Sequence, residues 1–202
     1  MFLHGRGEMH DWLKRNQRDM SDCGERSPIQ HLERQGVLSG DLLAVHVNYL
    51  SEHDAQLLSD RRVSVAHCPR SHAYFRHQRF PFDELTRAGV NICLGTDSLV
   101  SVRKVRGQRL ELNLFSEMAA FQAAMPDLAP AAVLEMATLN GALALGLEGY
   151  VGALAPAAFA DVIALPYSGK IDTVHEAVVH HEGSIHATMI DGEWAIKPGD
   201  GV

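Results

Sequence analysis

Three apolar runs in this chain each end on side chains suited to acid–base or metal chemistry. Residues 90–94 stop at Gly95, and Thr96, Asp97 and Ser98 follow. Residues 42–45 lead to His46, with Asn48 and Tyr49 just beyond. Residues 63–66 lead to His67-Cys68-Pro69-Arg70-Ser71-His72. A carboxylate that ends a buried strand has to be paired or to bind a metal, because an isolated buried charge is costly. Imidazoles beside it add neutral nitrogen donors that titrate near neutral pH. Such a set converging on one face suits a divalent metal and an activated water. Each signal also has a plainer reading. His46 alone reads as a hydrogen-bonded core histidine, His67 as part of a turn made by Pro69 and Ser71, and Asp97 as a cap for the next helix. Their recurrence on consecutive strand ends favours the chemical reading, because parallel α/β barrels place catalytic groups there.

The elements that would position these residues follow from pattern. Residues 1–40 read as helical and polar, with Ser27 as N-cap, Pro28 at the first helical position and Gly36 as the stop of one helix. Residues 42–50 are the first strand run, and Ser51 with Asp54 predicts a capping box opening the next helix. Residues 62–69 are the second strand run, 80–89 a short helix between Pro81 and Gly89, and 90–98 the third run. Helical stretches follow at 109–125 and 130–147. Strands that are apolar on both faces and alternate with helices predict a parallel sheet covered on both sides, hence an α/β fold. Near residue 148 the composition shifts to short β-like runs divided by Gly and Pro, with a hairpin signal at Asp191-Gly192. Residues 148–202 read as a small β-rich appendage to 1–147.

Composition narrows the function. A net charge of -7 argues against a nucleic-acid or anionic-membrane surface, so neither partner is expected. No apolar run reaches the roughly 18 residues of a membrane helix, and the charged opening MFLHGRGEMHDWLKR has no signal-peptide core, so a cytoplasmic protein is expected. Cys23, Cys68 and Cys93 form no CxxC pair, which leaves a disulfide framework and a thiolate zinc site unsupported. No GxGxxG, GxxxxGK[ST] or GxSxG occurs, which counts against nucleotide and serine-hydrolase readings. Of 12 histidines, His4, His10, His31, His53 and His77 sit among charged neighbours and are expected to have no chemical role.

The stretches AVHVNYL, VAHCPRSHAYF and NICLGTDSL, in that order, resemble strands six, seven and eight of the amidohydrolase superfamily. The likeness is to its aminohydrolase branch, the nucleobase and nucleoside deaminases and the triazine chlorohydrolases. MATLNGALALGL and the tail VGALAPAAFADVIAL…MIDGEWAI resemble that family's last helix and its return to a small β-sandwich. The resemblance implies the C-terminal part of a TIM-type (β/α)8 barrel over 1–147 and part of a β-sandwich over 148–202. It implies a hydrolase that deaminates or dechlorinates a heteroaromatic ring, with one divalent metal, zinc or alternatively iron. Asp97 matches the aspartate that contacts the metal and carries protons, and His46 the histidine that hydrogen-bonds the substrate or the hydroxide. His67 lies in the pocket-shaping HCP motif and His72 stands where relatives commonly have Asn, and the resemblance makes both candidates for substrate binding. Tyr74, Phe75 and Arg76 are candidates for specificity.

The family's other metal ligands, a His-x-His and a His followed three residues later by Glu, have no match in this sequence. LHGRGEMHDWL resembles the helix after strand five. The expectation is therefore a C-terminal half, inactive alone, that acts with a complementing N-terminal half or as a homo-oligomer on a small heterocyclic substrate. The competing expectation is a non-catalytic fragment or interaction module that assembles with another chain.

Overall fold

Each apolar run becomes a strand, and each strand is short. The computed structural model describes residues 1–104 and 110–199. Strand β1 (Leu43–Val45), β2 (Ser64–His67) and β3 (Ile92–Leu94) form a parallel sheet in that order. Ala44 sits opposite Val65, and Ala66 opposite Cys93. Strands β2 and β3 are buried along their whole length, as expected for a sheet covered on both faces. This is the predicted α/β arrangement.

The helices make the crossovers that parallel strands require. Helix α1 (Glu8–Arg15) and α2 (Pro28–Arg34) precede the sheet, with residues 16–27 outside any regular element. Ser27 caps α2 as predicted: its hydroxyl accepts the Gln30 N–H, and the Gln30 side chain accepts the Ser27 N–H. Helix α3 (Asp54–Asp60) joins β1 to β2, and here the prediction needs correction. Its N-cap is His53, whose side chain makes no capping bond, and only the reverse half of the expected box forms. The Asp54 carboxylate accepts the Ser51 N–H at 2.8 Å and the Ser27 hydroxyl at 2.6 Å, so it ties two helix starts together.

Helix α4 (Pro69–Tyr74) and α5 (Phe82–Arg87) lie between β2 and β3. Helix α6 (Leu114–Ala124) starts later than predicted, at an Asn113 cap that accepts the Ser116 N–H. Residue 109, where that helix was expected to begin, lies outside the described residues. The run 130–147 divides into α7 (Pro130–Ala137) and α8 (Leu139–Ala144). The break is at Thr138, which has φ -128° and ψ -88° and donates its hydroxyl to the Leu134 carbonyl at 2.7 Å. A Thr hydroxyl bonding back into its own helix favours such a break.

Strands β4 (Val162–Ala164), β5 (Ala187–Ile190) and β6 (Glu193–Ile196) form a second, antiparallel sheet. Asp191 and Gly192 have φ 48° and 82°, the two left-handed residues of the hairpin turn read from the sequence. Helix α9 (Val174–Val179) was not predicted in this segment. It packs on α6 and α7, and its Val179 is fully buried in the same core as Leu58, Val65, Leu85, Phe121 and Val133.

The two outer strands of the parallel sheet differ. Beyond β3, Asn140 of α8 donates to the Ile92 carbonyl at 2.8 Å. On β1, the His46 N–H bonds to Ala66, so by alternation Leu43 and Val45 turn their backbone groups away from β2. Val45 is 53% exposed there, beside an apolar groove of about 740 Å³ that also involves Phe2, Leu32 and Tyr49.

Candidate active site

The three strand ends do bring the sequence-predicted residues together. Asp97 follows β3 in a left-handed conformation with φ 55°. Space is tight at Gly95, two residues earlier, where a Cβ would sit 3.3 Å from the Cys68 sulfur. The Asp97 side chain differs from expectation in one respect: the residue is exposed, although its strand is buried. Hydroxyls hold it rather than burial. Ser71 donates to Oδ2 at 2.5 Å and Ser101 donates to the same oxygen at 2.9 Å. The Ser71 bond is the main cause that keeps this carboxyl below its ordinary range; partial burial opposes it, and Ser101 and nearby His46 assist.

His46 sits at the end of β1 with φ 74°, and Val47 after it has φ 43°. Left-handed backbone at a β-branched residue is strained, and such strain collects at functional sites. His46 is near enough to influence electrostatically Asp97, His67 and His72.

His67 is buried in aromatic surroundings. Its ring stacks on Phe80 with centroids 3.8 Å apart and meets the edge of Phe121 at 5.7 Å. Burial, helped by His72 and His46, pushes its pKa down to about 3, so it is neutral at physiological pH. His72 meets His67 edge-on at 5.2 Å and is half-buried. Its pKa is also lowered, first by burial and then by His77. His67 Nδ1, His72 Nε2 and Asn48 Oδ1 are buried polar atoms with no hydrogen-bond partner within the protein. Such atoms normally have one, so three of them on β1–β2 strand-end segments indicate a place for a ligand or water.

Several contributors were not singled out from the sequence. Ser71 and Ser101 were not assigned to Asp97, because only the fold brings α4 to the loop after β3. His77, expected to have no role, pairs its Nδ1 with the Tyr49 hydroxyl at 3.1 Å beside His72. Arg70 and Glu117 form an ion pair at 2.6 Å under the start of α4, with Glu117 fully buried. Burial raises the Glu117 pKa, and the Arg70 N–H and guanidinium act against that. Tyr74 and Phe75 are exposed, at 43% and 58%.

Asp97 can offer one carboxylate oxygen to a metal, and the described residues do not complete that site. Among them no group of three or more His, Cys, Asp or Glu is arranged to hold an ion. A catalytic zinc needs three protein ligands and an open position. The described residues therefore do not by themselves fit the metal that the resemblance implies.

The parallel strands bring the carboxylate after β3 and the histidines after β1 and β2 to one end of a sheet in an α/β fold. Residues 4–195 match the model of the amidohydrolase family, and the chain belongs to that family. It is 34% identical over 180 residues to the 5-methylthioadenosine/S-adenosylhomocysteine deaminase of Desulfitobacterium hafniense, covering 83% of this chain and 40% of that protein. The structure superposes on a zinc-bound adenosine deaminase from Xanthomonas campestris with a TM-score of 0.76 and 28% identity, covering 88% of this chain and 42% of the other. It also shares its fold with the zinc-complexed atrazine chlorohydrolase of Arthrobacter aurescens, with a TM-score of 0.69, 20% identity, and 85% and 40% coverage. The chain thus spans about 40% of the length of the curated relative. No helix among the described residues is long and apolar enough to cross a membrane.

Proposed function

We propose that this chain carries the strand-six to strand-eight side of the active site of a cytoplasmic hydrolytic deaminase. The substrate class is a heteroaromatic ring bearing an amino group, with adenine nucleosides first; dechlorination of a triazine is the related alternative. In this reading 1–147 is the C-terminal part of a (β/α)8 barrel and 148–202 part of a β-sandwich. The observation that carries it is the meeting of Asp97, His46, His67 and His72 around three adjacent parallel strand ends. The likeness to deaminases supports the reaction class.

The roles assigned here combine the family resemblance with this geometry. Asp97 has Oδ1 free to take a proton, since Oδ2 already accepts two hydroxyls, and it would be one ligand for a divalent metal, zinc or iron, if the remaining ligands were supplied. The other ligands would come from outside the described residues. His46 hydrogen-bonds the substrate. Neutral His67 forms the floor of the pocket, and His72 Nε2 with Asn48 Oδ1 offers hydrogen bonds to the ring or its sugar. The outward-turned backbone of β1 supports completion by a complementing N-terminal half, with homo-oligomer formation as the other assembly. The same edge favours a second reading, a non-catalytic module that only assembles with another chain.

The test is ammonia release from 5-methylthioadenosine, adenosine, an aminopyrimidine and an aminotriazine. The chain is assayed alone and with a polypeptide supplying the part of the relatives' length it does not match. Release from an adenine nucleoside by the mixture supports the deaminase. Stable assembly with zinc bound and no turnover of any ring would favour the second reading.

A further inference from the structure

Asp97 lies in no regular element, and it is exposed. A carboxylate in that position is free to turn about its last bond and exchange its two oxygens. Ser101, buried at the end of the one-turn 3-10 helix Leu99–Ser101, cannot prevent this by itself, because its single hydroxyl proton is shared between Asp97 Oδ2 and the Ser98 carbonyl, both at 2.9 Å. Ser71 is the tie to the rest of the fold, since it reaches Asp97 from α4, 26 residues earlier in the chain. The position of Ser71 in turn depends on α4, which has six residues and no side-chain N-cap. So short a helix does not hold its own geometry in water.

Glu117 of α6 supplies what is missing. Its Oε2 accepts the backbone N–H of Arg70 at 3.0 Å, one of the first-turn donors that a cap residue would otherwise satisfy. Its Oε1 accepts Arg70 Nε at 2.6 Å, and Arg70 Nη2 donates to the Glu111 carbonyl at 2.9 Å. One fully buried carboxylate thus grips both the backbone and the side chain of the residue before Ser71. A buried ion pair is a poor source of net stability, and its better-supported use is to select one geometry.

We propose that the Arg70–Glu117 pair is a positioning device for Asp97. It fixes the first turn of α4 so that Ser71, assisted by Ser101, engages Oδ2, which leaves Oδ1 as the working atom. Arg70 and Glu117 are positioning residues in this scheme. The proposal rests on the reading of Asp97 as the working carboxylate, but its first test does not require turnover.

That test is the Asp97 carboxyl 13C resonance in the purified chain, compared among wild type, Ser71→Ala, Arg70→Lys, Glu117→Gln and the Arg70→Lys/Ser71→Ala double variant. Arg70→Lys keeps the charge and loses the planar fork, so it is the variant to rely on if Glu117→Gln does not fold. The expected result is a shift in Arg70→Lys in the same direction as in Ser71→Ala but no larger, because the backbone N–H to Glu117 is kept, with the double variant no further shifted than Ser71→Ala, and recovery in Ser71→Thr. An unmoved resonance in folded Arg70→Lys, or shifts that add in the double variant, would overturn the proposal. In the completed enzyme, Arg70→Lys should lower kcat about tenfold with KM unchanged, the size typical of residues that orient a working ligand. A rise in KM with kcat unchanged would overturn it too. If the completed protein turns over no ring at all, the deaminase reading fails, and the carboxyl resonance still decides the positioning role.

Discussion

The His67 imidazole lies on the Phe80 ring with centroids 3.8 Å apart and planes 15° from parallel, at the point where β2 delivers the chain to α4. The contact places an ionisable group in an apolar stack, and burial brings its pKa down to about 3 from an ordinary value of 6.5. The unfolded chain binds a proton near pH 6.5 that the folded chain refuses until about pH 3. The contribution of His67 to stability is therefore fully present above pH 6.5 and is lost as pH falls toward 3, by at most about 1.4 kcal/mol per pH unit. His72 is shifted in the same direction and adds to the same slope. Urea midpoints measured from pH 7 to pH 4 should fall steadily in the wild type and less in His67→Phe. Equal slopes in the two proteins would refute the assignment.

Asp54 is 1% exposed and joins the starts of α2 and α3 through Ser27 and Ser51. Asp54→Ala removes an acceptor from two donors, one of them a buried hydroxyl. It should cost about 3 kcal/mol, the loss expected when hydrogen bonds to a charged group are broken and a partner is left unpaired. Equilibrium unfolding in urea measures it, and a loss under about 1 kcal/mol would show that water replaces the carboxylate without difficulty.

Val45 lies on the outer edge of β1, half in solvent. A lysine on an edge strand discourages pairing with another strand and disturbs the existing sheet little. Val45→Lys should leave the melting curve of the chain nearly unchanged and abolish its association with a complementing half, as read by sedimentation. Association at wild-type strength would place the partner elsewhere.

Much of this was legible in the sequence because the signals were local. Buried parallel strands declare themselves by runs such as ICL and SVA, and the Ser27 cap and the Asp191-Gly192 turn are set by residues adjacent in the chain. Asp97, His46, His67 and His72 could be grouped because parallel topology carries consecutive strand ends to one face. The parts that were missed depend on distance in sequence. Nothing near Asp97 announces Ser71, and nothing near Arg70 announces Glu117, 47 residues on. The α3 start was misread because the Asp54 N–H bonds the Ser51 carbonyl rather than its hydroxyl, which leaves His53 at the cap position. Helix α9 was missed because only contact with α6 and α7 gives its apolar residues a place to be buried.

The most direct test of Asp97 as the working carboxylate is ammonia release from an adenine nucleoside by the metal-loaded, completed protein, with wild type and Asp97→Asn side by side. Asn keeps the shape and can still accept the Ser71 and Ser101 hydroxyls, but it loses the charge and the proton-carrying oxygen. The predicted result is a fold and assembly like wild type with turnover abolished. Turnover retained in Asp97→Asn would contradict the role given to this residue and move the proton carrier elsewhere in the site.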